Sequence, residues 1–404
     1  TLKDLEITEY TEIRVAIVRE VFTDLNNYMK DGVLIRQVIN VLNELDLTNF
    51  KTRYAFNEIY ETILKDLQSA GKSGEFYTPR ALTDFVVKMV APKIGEKIAD
   101  FACGTGGFLI SALNYMKDEA DDISKTEKLQ KSFYGVEKKS LPYLLCTTNM
   151  LLHDINEPRI IRGNSLEKNV RDYSEDDKFN VILMNPPYGG TEKKAIQQNF
   201  PQDLRDSETA DLFMVEILYR LKDNGRVGII LPDGFLFGTD NTKIAIKSKL
   251  MEECNLHTII RLPGSIFSPY TGIATNLLFF DKTGGTKETW FYRMDLPSGY
   301  KAFSKTKPIE LIHMDDICEW WYNRKEIKDP KDDESMKDTW KSKKFTIDEI
   351  KRLNYDLGQC GYPTKEEIIV SPVDTINNYI ENKNKINNEI QVRLEKIIKI
   401  LGDK

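Results

Sequence analysis

The chain has 404 residues, 41% of them hydrophobic and 30% charged, which allows two or three domains and a sizeable core. Its net charge of −6 excludes attraction of nucleic acid by the whole-protein field; DNA binding would need a local basic patch or a basic partner subunit. No apolar run is long enough to span a bilayer, the five cysteines form no CxxC pair, and the three histidines show no ligand spacing, so no disulfide frame or metal site is expected.

Residues 1 to about 90 read as helical: "VLIRQVINVLNEL" and "AFNEIYETILKDL" repeat apolar residues at helical spacing, and no strand signal interrupts them. The first residues lack the charged-then-apolar pattern of a signal peptide. They also lack an initiator Met, so this helical region is expected to be incomplete. "GKSGEFYTPRAL" reads as a glycine-bearing loop entering the helix "ALTDFVVKMVAPK".

From about residue 97 strands and helices alternate. "KIADFACG", "SFYGVEK", "RIIRGN" and "FNVILMNPP" read as strands, with "GFLISALNYMKDEA" and "LPYLLCTTNMLLHD" as helices among them. "ADLFMVEILYRLKDNG" reads as a helix stopped by its glycine. "RVGIILPDG" and "LHTIIRLPG" are strands around the helix "IAIKSKLMEEC", and "ATNLLFFDK" and "TWFYRM" are expected to pair as a hairpin. The alternation predicts an α/β fold with a doubly wound sheet that places ligands beyond the carboxyl ends of its strands. Residues 315–352 are rich in charge and Trp without a clean period, and "KDPKDDESMKD" reads as an exposed loop. A last amphipathic helix carries Ile376, Tyr379, Ile386, Ile390, Leu394, Ile397 and Leu401 on a nearly heptad stripe. It either folds back or pairs with another chain.

Three features carry chemistry. "DFACGTGGF", Asp100 to Phe108, lies where the first strand becomes a helix, and its glycines let the backbone approach a ligand. It fits neither a dinucleotide fingerprint, since position 109 is Leu, nor a P-loop. Glu137, ending the second strand, can take both hydroxyls of a ribose. Together they suggest a nucleoside ligand without a pyrophosphate, and S-adenosylmethionine fits. Glycines after a strand also make a plain tight turn, and a strand-end Glu is often just exposed. The order and spacing of the features favour the ligand.

The third feature is "NPPY", Asn185 to Tyr188, after the fourth strand. An exocyclic amine is a poor nucleophile because its lone pair is delocalised into the base ring. The Asn185 side-chain oxygen and the Pro186 carbonyl can accept from its N–H groups and turn the lone pair toward a methyl donor. Pro186 and Pro187 hold that geometry rigidly and offer no competing N–H. Tyr188 offers a π-face to an extruded base. Asn-Pro and Pro-Pro are also ordinary strand breakers.

"GEFYTPR", "DFACGTGGFL", "YGVEK" and "NPPYGG" in this order resemble the amino-methylating DNA methyltransferases. With "RVGIILPDGFLFG", "RLPGSIFSPYTGIATNLLFF" and "LNYDLG", the chain is similar over nearly its whole length to the modification subunits of type I restriction-modification systems. The resemblance implies a Rossmann-like mixed sheet in residues 73–312, an N-terminal helical domain in 1–72, a charged, Trp-containing extension in 313–364 and an assembly helix in 365–404. It implies that Glu75, Phe76, Tyr77, Thr78, Pro79 and Arg80 cover the methionine end of S-adenosylmethionine. Asp100, Ala102, Gly104, Thr105, Gly106, Gly107, Phe108 and Leu109 would bind it from below. Glu137 would hold its ribose, and Asn164 and Ser165 would lie beside its adenine; many relatives have Asp at the position of Asn164. Asn185, Pro186, Pro187 and Tyr188 would act on N6 of adenine in DNA, and Phe267, Tyr270 and Thr271 would touch the flipped base. A separate specificity subunit would read the sequence in a cytoplasmic prokaryotic complex holding two modification subunits and, in full form, a restriction-translocation subunit. No nuclease or helicase motif is present in this sequence. A methyltransferase for RNA or protein glutamine, and a catalytically silent assembly module, are the competing readings; the helical N-terminus argues against the first and the intact Asn185, Glu137 and glycine turn against the second.

Overall fold

The computed structural model describes residues 15, 19, 29–44, 78–268, 271–330, 339–363 and 372–402. Two compact units are distinguished, one of residues 1–328 and 339–362, the other of 329–338 and 363–404.

In chain order the first unit contains α1 (Gly32–Asn43), α2 (Arg80–Val90), β1 (Ile98–Asp100), α3 (Gly107–Met116), α4 (Ile123–Gln130), β2 (Phe133–Glu137), α5 (Ser140–Leu152), β3 (Arg159–Arg162) and β4 (Phe179–Met184). It continues through α6 (Thr209–Arg220), β5 (Leu221–Pro232), α7 (Asn241–Glu253), β6 (Asn255–Arg261), β7 (Thr275–Asp281) and β8 (Glu288–Arg293). It ends with α8 (Asp315–Tyr322), β9 (Ile327–Lys328), β10 (Trp340–Thr346) and α9 (Ile347–Arg352). The second unit holds α10 (Pro372–Gly402).

The strands form one sheet in the order β3-β2-β1-β4-β5-β7-β6-β8-β10-β9, in which β7 and β10 run antiparallel to the rest. The central strands are apolar on both faces because helices cover both faces. Successive residues alternate between the two layers: Val181 and Leu183 of β4 pack with α2, α3 and α5, while Ile182 and Met184 pack with α6 and α7. This doubly covered sheet fixes where β1 to β4 end, and the candidate site lies at those ends.

Several expectations are corrected. The helix beginning at Thr209 does not run to the glycine: it ends at Arg220, and Leu221 already pairs with Phe179 in the sheet. A register shift follows before Arg226 pairs with Val181. Gly225 serves that irregularity, since a Cβ there would stand 2.7 Å from the Lys222 carbonyl. The hairpin of β7 and β8 does not form. β7 lies between β5 and β6, and β8 pairs in parallel with β6. Six of the seven residues of β7 are buried, and two flanking strands satisfy its backbone better than one hairpin partner could. The Trp-rich segment after residue 313 is not structureless; α8 packs Ile317 and Trp320 on one layer, and β10 joins the sheet beside β8.

α1 is capped by Asp31, whose side chain accepts from the Val33 amide at 2.8 Å, and it buries no residue. In α10 the stripe residues Ile376, Tyr379, Ile386, Ile390 and Leu394 are exposed; the side chains of Ile397 and Leu401 lie outside the described residues. No helix among the described residues is long and apolar enough to cross a membrane.

Candidate active site

The carboxyl ends of β1 and β2 are tied together by Glu137. Its Oε2 accepts from the Gly104 amide at 2.9 Å, and its Oε1 accepts from the Lys139 amide at 2.8 Å. These two backbone bonds orient the carboxylate at the strand end. Asp100 ends β1, almost fully buried, and accepts from the Ala102 amide at 3.1 Å. Burial pushes its carboxyl up to about 8, helped by the nearby Glu137 charge and opposed by the Ala102 N–H.

The glycine turn is built for closeness. Gly106 has φ +84° and would place a Cβ 2.9 Å from the Cys146 sulfur, while Gly104 has φ +53° and open space where its Cβ would stand. Thr105 is pinned by its carbonyl, which accepts from Asn149 Nδ2 at 3.0 Å. Gly107, Phe108 and Leu109 open α3, with Phe108 and Leu109 buried in the core. Arg80 donates to the Gly107 carbonyl at 2.8 Å and to Ser111 Oγ at 3.3 Å, so it braces α3 from α2. Pro79 caps α2. Glu75, Phe76 and Tyr77 lie outside the described residues.

At the end of β3, Asn164 caps a short turn, its Oδ1 accepting from the Leu166 amide at 3.2 Å. Ser165 turns inward and donates to Glu216, so its hydroxyl is part of the interior and is not presented as a contact. Glu216 also accepts from the Tyr173 hydroxyl at 3.1 Å and from Arg220 at 3.0 Å. The Arg220 guanidinium lies 4.2 Å from the Phe101 ring centre and 4.4 Å from that of Tyr173. Burial and the Glu216 charge push the Tyr173 phenol up. This buried pair sits under both the β1 end and the loop after β3.

Asn185 follows β4. Its Nδ2 donates to Thr78 Oγ1 at 3.0 Å, which directs Oδ1 the other way. Oδ1 accepts from the Tyr188 hydroxyl, and the Tyr188 ring is buried in the core layer. The aromatic ring and the acceptor oxygen are therefore brought together. Phe267, expected at the base, is fully buried in the same layer and presents no face. Thr271 bonds its own loop, accepting from the Ile273 amide at 3.1 Å, and Tyr270 lies outside the described residues. No cluster of metal-ligating side chains occurs among the described residues.

Sequence reasoning missed Asn149, Cys146, Glu216 and Arg220. A signal was available for the last two: a Glu and an Arg four apart interrupt the otherwise apolar run "LFMVEILYR".

A doubly wound sheet with a glycine turn after β1, an acidic residue ending β2 and Asn-Pro-Pro-Tyr after β4 defines the amino-methyltransferase class. The chain belongs to the N-6 DNA methylase family, whose model matches residues 51–369. It is 50% identical over 359 residues to the EcoEI type I methylase subunit of Escherichia coli, covering 88% of this chain and 72% of that protein. It is 30% identical over 327 residues to the StySPI methylase subunit of Salmonella potsdam, spanning 59% of its length. Among solved structures, a type I modification subunit from Vibrio vulnificus YJ016 superposes with a TM-score of 0.76 at 39% identity, over 86% of this chain and 71% of that one. A chain from a study of type I restriction-modification complex assembly superposes with a TM-score of 0.79 at 33% identity, over 98% of this chain and 81% of that one.

Proposed function

We propose that the chain transfers a methyl group from S-adenosylmethionine to N6 of an adenine flipped out of DNA, as the modification subunit of a type I restriction-modification complex with a separate specificity subunit. The observation that carries this reading is Asn185, held by Thr78 with its acceptor oxygen beside Tyr188, at the strand end next to the glycine turn.

The residues present fit the cofactor. The Glu137 carboxylate is oriented by two backbone bonds at the strand end, where a ribose diol would meet it, and the space at Gly104 admits a ligand against the backbone. The bound sulfonium supplies the activated methyl group. The protein's share is position and electrostatics. A flipped adenine displaces the Tyr188 hydroxyl, its amine donates to Asn185 Oδ1 and the Pro186 carbonyl, and the tyrosine ring stacks on the base. Two acceptors on the amine localise its lone pair, and no general base has to act before the methyl moves.

The net charge of −6 suits a division of labour in which a partner supplies most of the DNA affinity. The exposed stripe of α10 offers that partner a helical face. The test is labelled S-adenosylmethionine with unmethylated DNA, with and without the specificity subunit, and Asn185→Ala as control. Label on adenine N6 that needs the partner and disappears in the variant is the expected result. Label without the partner would overturn the division of labour, and cofactor binding with no label on DNA would redirect the search to RNA or protein.

A further inference from the structure

The loop that leaves Tyr188 reaches back along the sheet. β4 lies two strands from β2 and three from β3, yet Glu192, seven residues after Asn185, touches both of those strand ends. Its Oε1 accepts from Lys138 Nζ at 3.1 Å and from Asn164 Nδ2 at 3.3 Å. Lys138 directly follows Glu137. The loop is clamped there: the Glu192 amide donates to the Ser207 carbonyl at 3.0 Å, and Gln197 Nε2 donates to the Glu192 carbonyl at 2.8 Å. Thr191 pairs with Glu208 beside it.

The Glu192 side chain is only 9% exposed, whereas its Lys138 partner is 60% exposed. Oε1 carries two donors; Oε2 has no donor among the described residues. A nucleoside whose ribose is held by Glu137 at the end of β2 can extend its base toward the neighbouring end of β3. That is where Asn164 and Glu192 stand. Adenine brings an amino group with two donors, and a carboxylate oxygen is the strongest acceptor for one of them. Asn164 Oδ1 already accepts from the Leu166 amide and has one lone pair left.

We propose that Glu192 reads the exocyclic amine of the cofactor's adenine. The loop that carries the catalytic Asn185 and Tyr188 then also sets nucleobase specificity for the cofactor. This rests on the cofactor reading above.

The experiment measures dissociation constants of S-adenosylhomocysteine and of its purine analogue, which lacks only the 6-amino group. Both are titrated by calorimetry into the purified chain and into Glu192→Ala and Glu192→Gln. The unmodified chain should prefer the amino form by roughly tenfold or more, the worth of one charge-assisted hydrogen bond. Glu192→Ala should weaken the amino form and leave the purine form nearly unchanged, so that the preference collapses. Glu192→Gln, which keeps an acceptor, should restore part of it; this variant guards against a folding defect in the alanine. Equal weakening of both ligands would show that Glu192 only supports Asn164, and no change in either would place it outside the site; each overturns the proposal. Failure of the unmodified chain to bind either ligand would instead bring down the cofactor reading itself.

Discussion

Replacing Glu216 with alanine tests the buried support beneath the site. The carboxylate is fully buried and receives three donors, from Ser165, Tyr173 and Arg220. Its removal strands the Arg220 cation, which is 4% exposed, among aromatic rings. Breaking one side of such a pair costs about 3–5 kcal/mol, because the remaining charge keeps its desolvation penalty. At roughly 2 °C per kcal/mol for a domain of this size, the melting midpoint should fall by about 6–10 °C. The ring contacts give Arg220 some compensation, so the lower half of that range is expected. The companion variant, Glu216→Leu with Arg220→Met, removes both charges and fills the volume; it should cost less than Glu216→Ala alone. Urea unfolding followed by tryptophan fluorescence measures all three. An alanine variant within about 1 kcal/mol of the parent would refute the reasoning, as would a double variant that costs the sum of its parts.

Gly106→Ala should lose about 1–3 kcal/mol of stability, since its φ of +84° and the Cys146 sulfur 2.9 Å from the new Cβ both oppose it; thermal unfolding reads this directly. Asp100 gives a pH signature. Its folded carboxyl titrates near 8, above the ordinary 3.8, so the folded state keeps a proton that the unfolded chain has already released. The contribution of Asp100 to stability is therefore fully present below about pH 4 and is lost by up to about 1.4 kcal/mol per unit as pH rises toward 8. In Asp100→Asn that slope should flatten, and denaturant midpoints taken from pH 5 to 8 will show whether it does. Tyr188→Phe keeps the ring and frees the Asn185 oxygen, so kcat should stay within about threefold of the parent, whereas Tyr188→Ala should lose about 1–3 kcal/mol of base stacking in kcat/KM. A large loss in the Phe variant would mean that the hydroxyl takes part in the reaction.

Much of the fold was legible because burial on both faces leaves long apolar runs, as in β4 and the second half of β5. The glycine turn and Asn185 were legible because breakers after a strand have local causes. What could not be read was long-range pairing. Nothing near residue 275 in sequence announces that β7 will slot between β5 and β6, since that choice is made by strands 20 to 50 residues upstream. The site divides the same way. Glu137 and Asn185 stand at strand ends, where sequence reasoning can look, whereas Glu192, Glu216 and Arg220 make their contacts between distant elements. Ser165 and Phe267 show the converse: residues beside a motif whose side chains turn into the interior.

The place of β7 also constrains how the protein is made. Until residues 275–281 have emerged, β5 and β6 have no partner between them, and both end in stretches that are buried in the finished sheet. A growing chain that has completed the glycine turn and Asn185 still carries two open hydrophobic edges, the kind that recruit a neighbouring chain. The residues of the candidate site thus lie in the first half of the sheet, but the edges of β5 and β6 are closed only by the later strands β7 and β8. Truncations or slow translation just before residue 275 should be the most hazardous for solubility, and co-expression of β7 as a separate peptide offers a route to rescue.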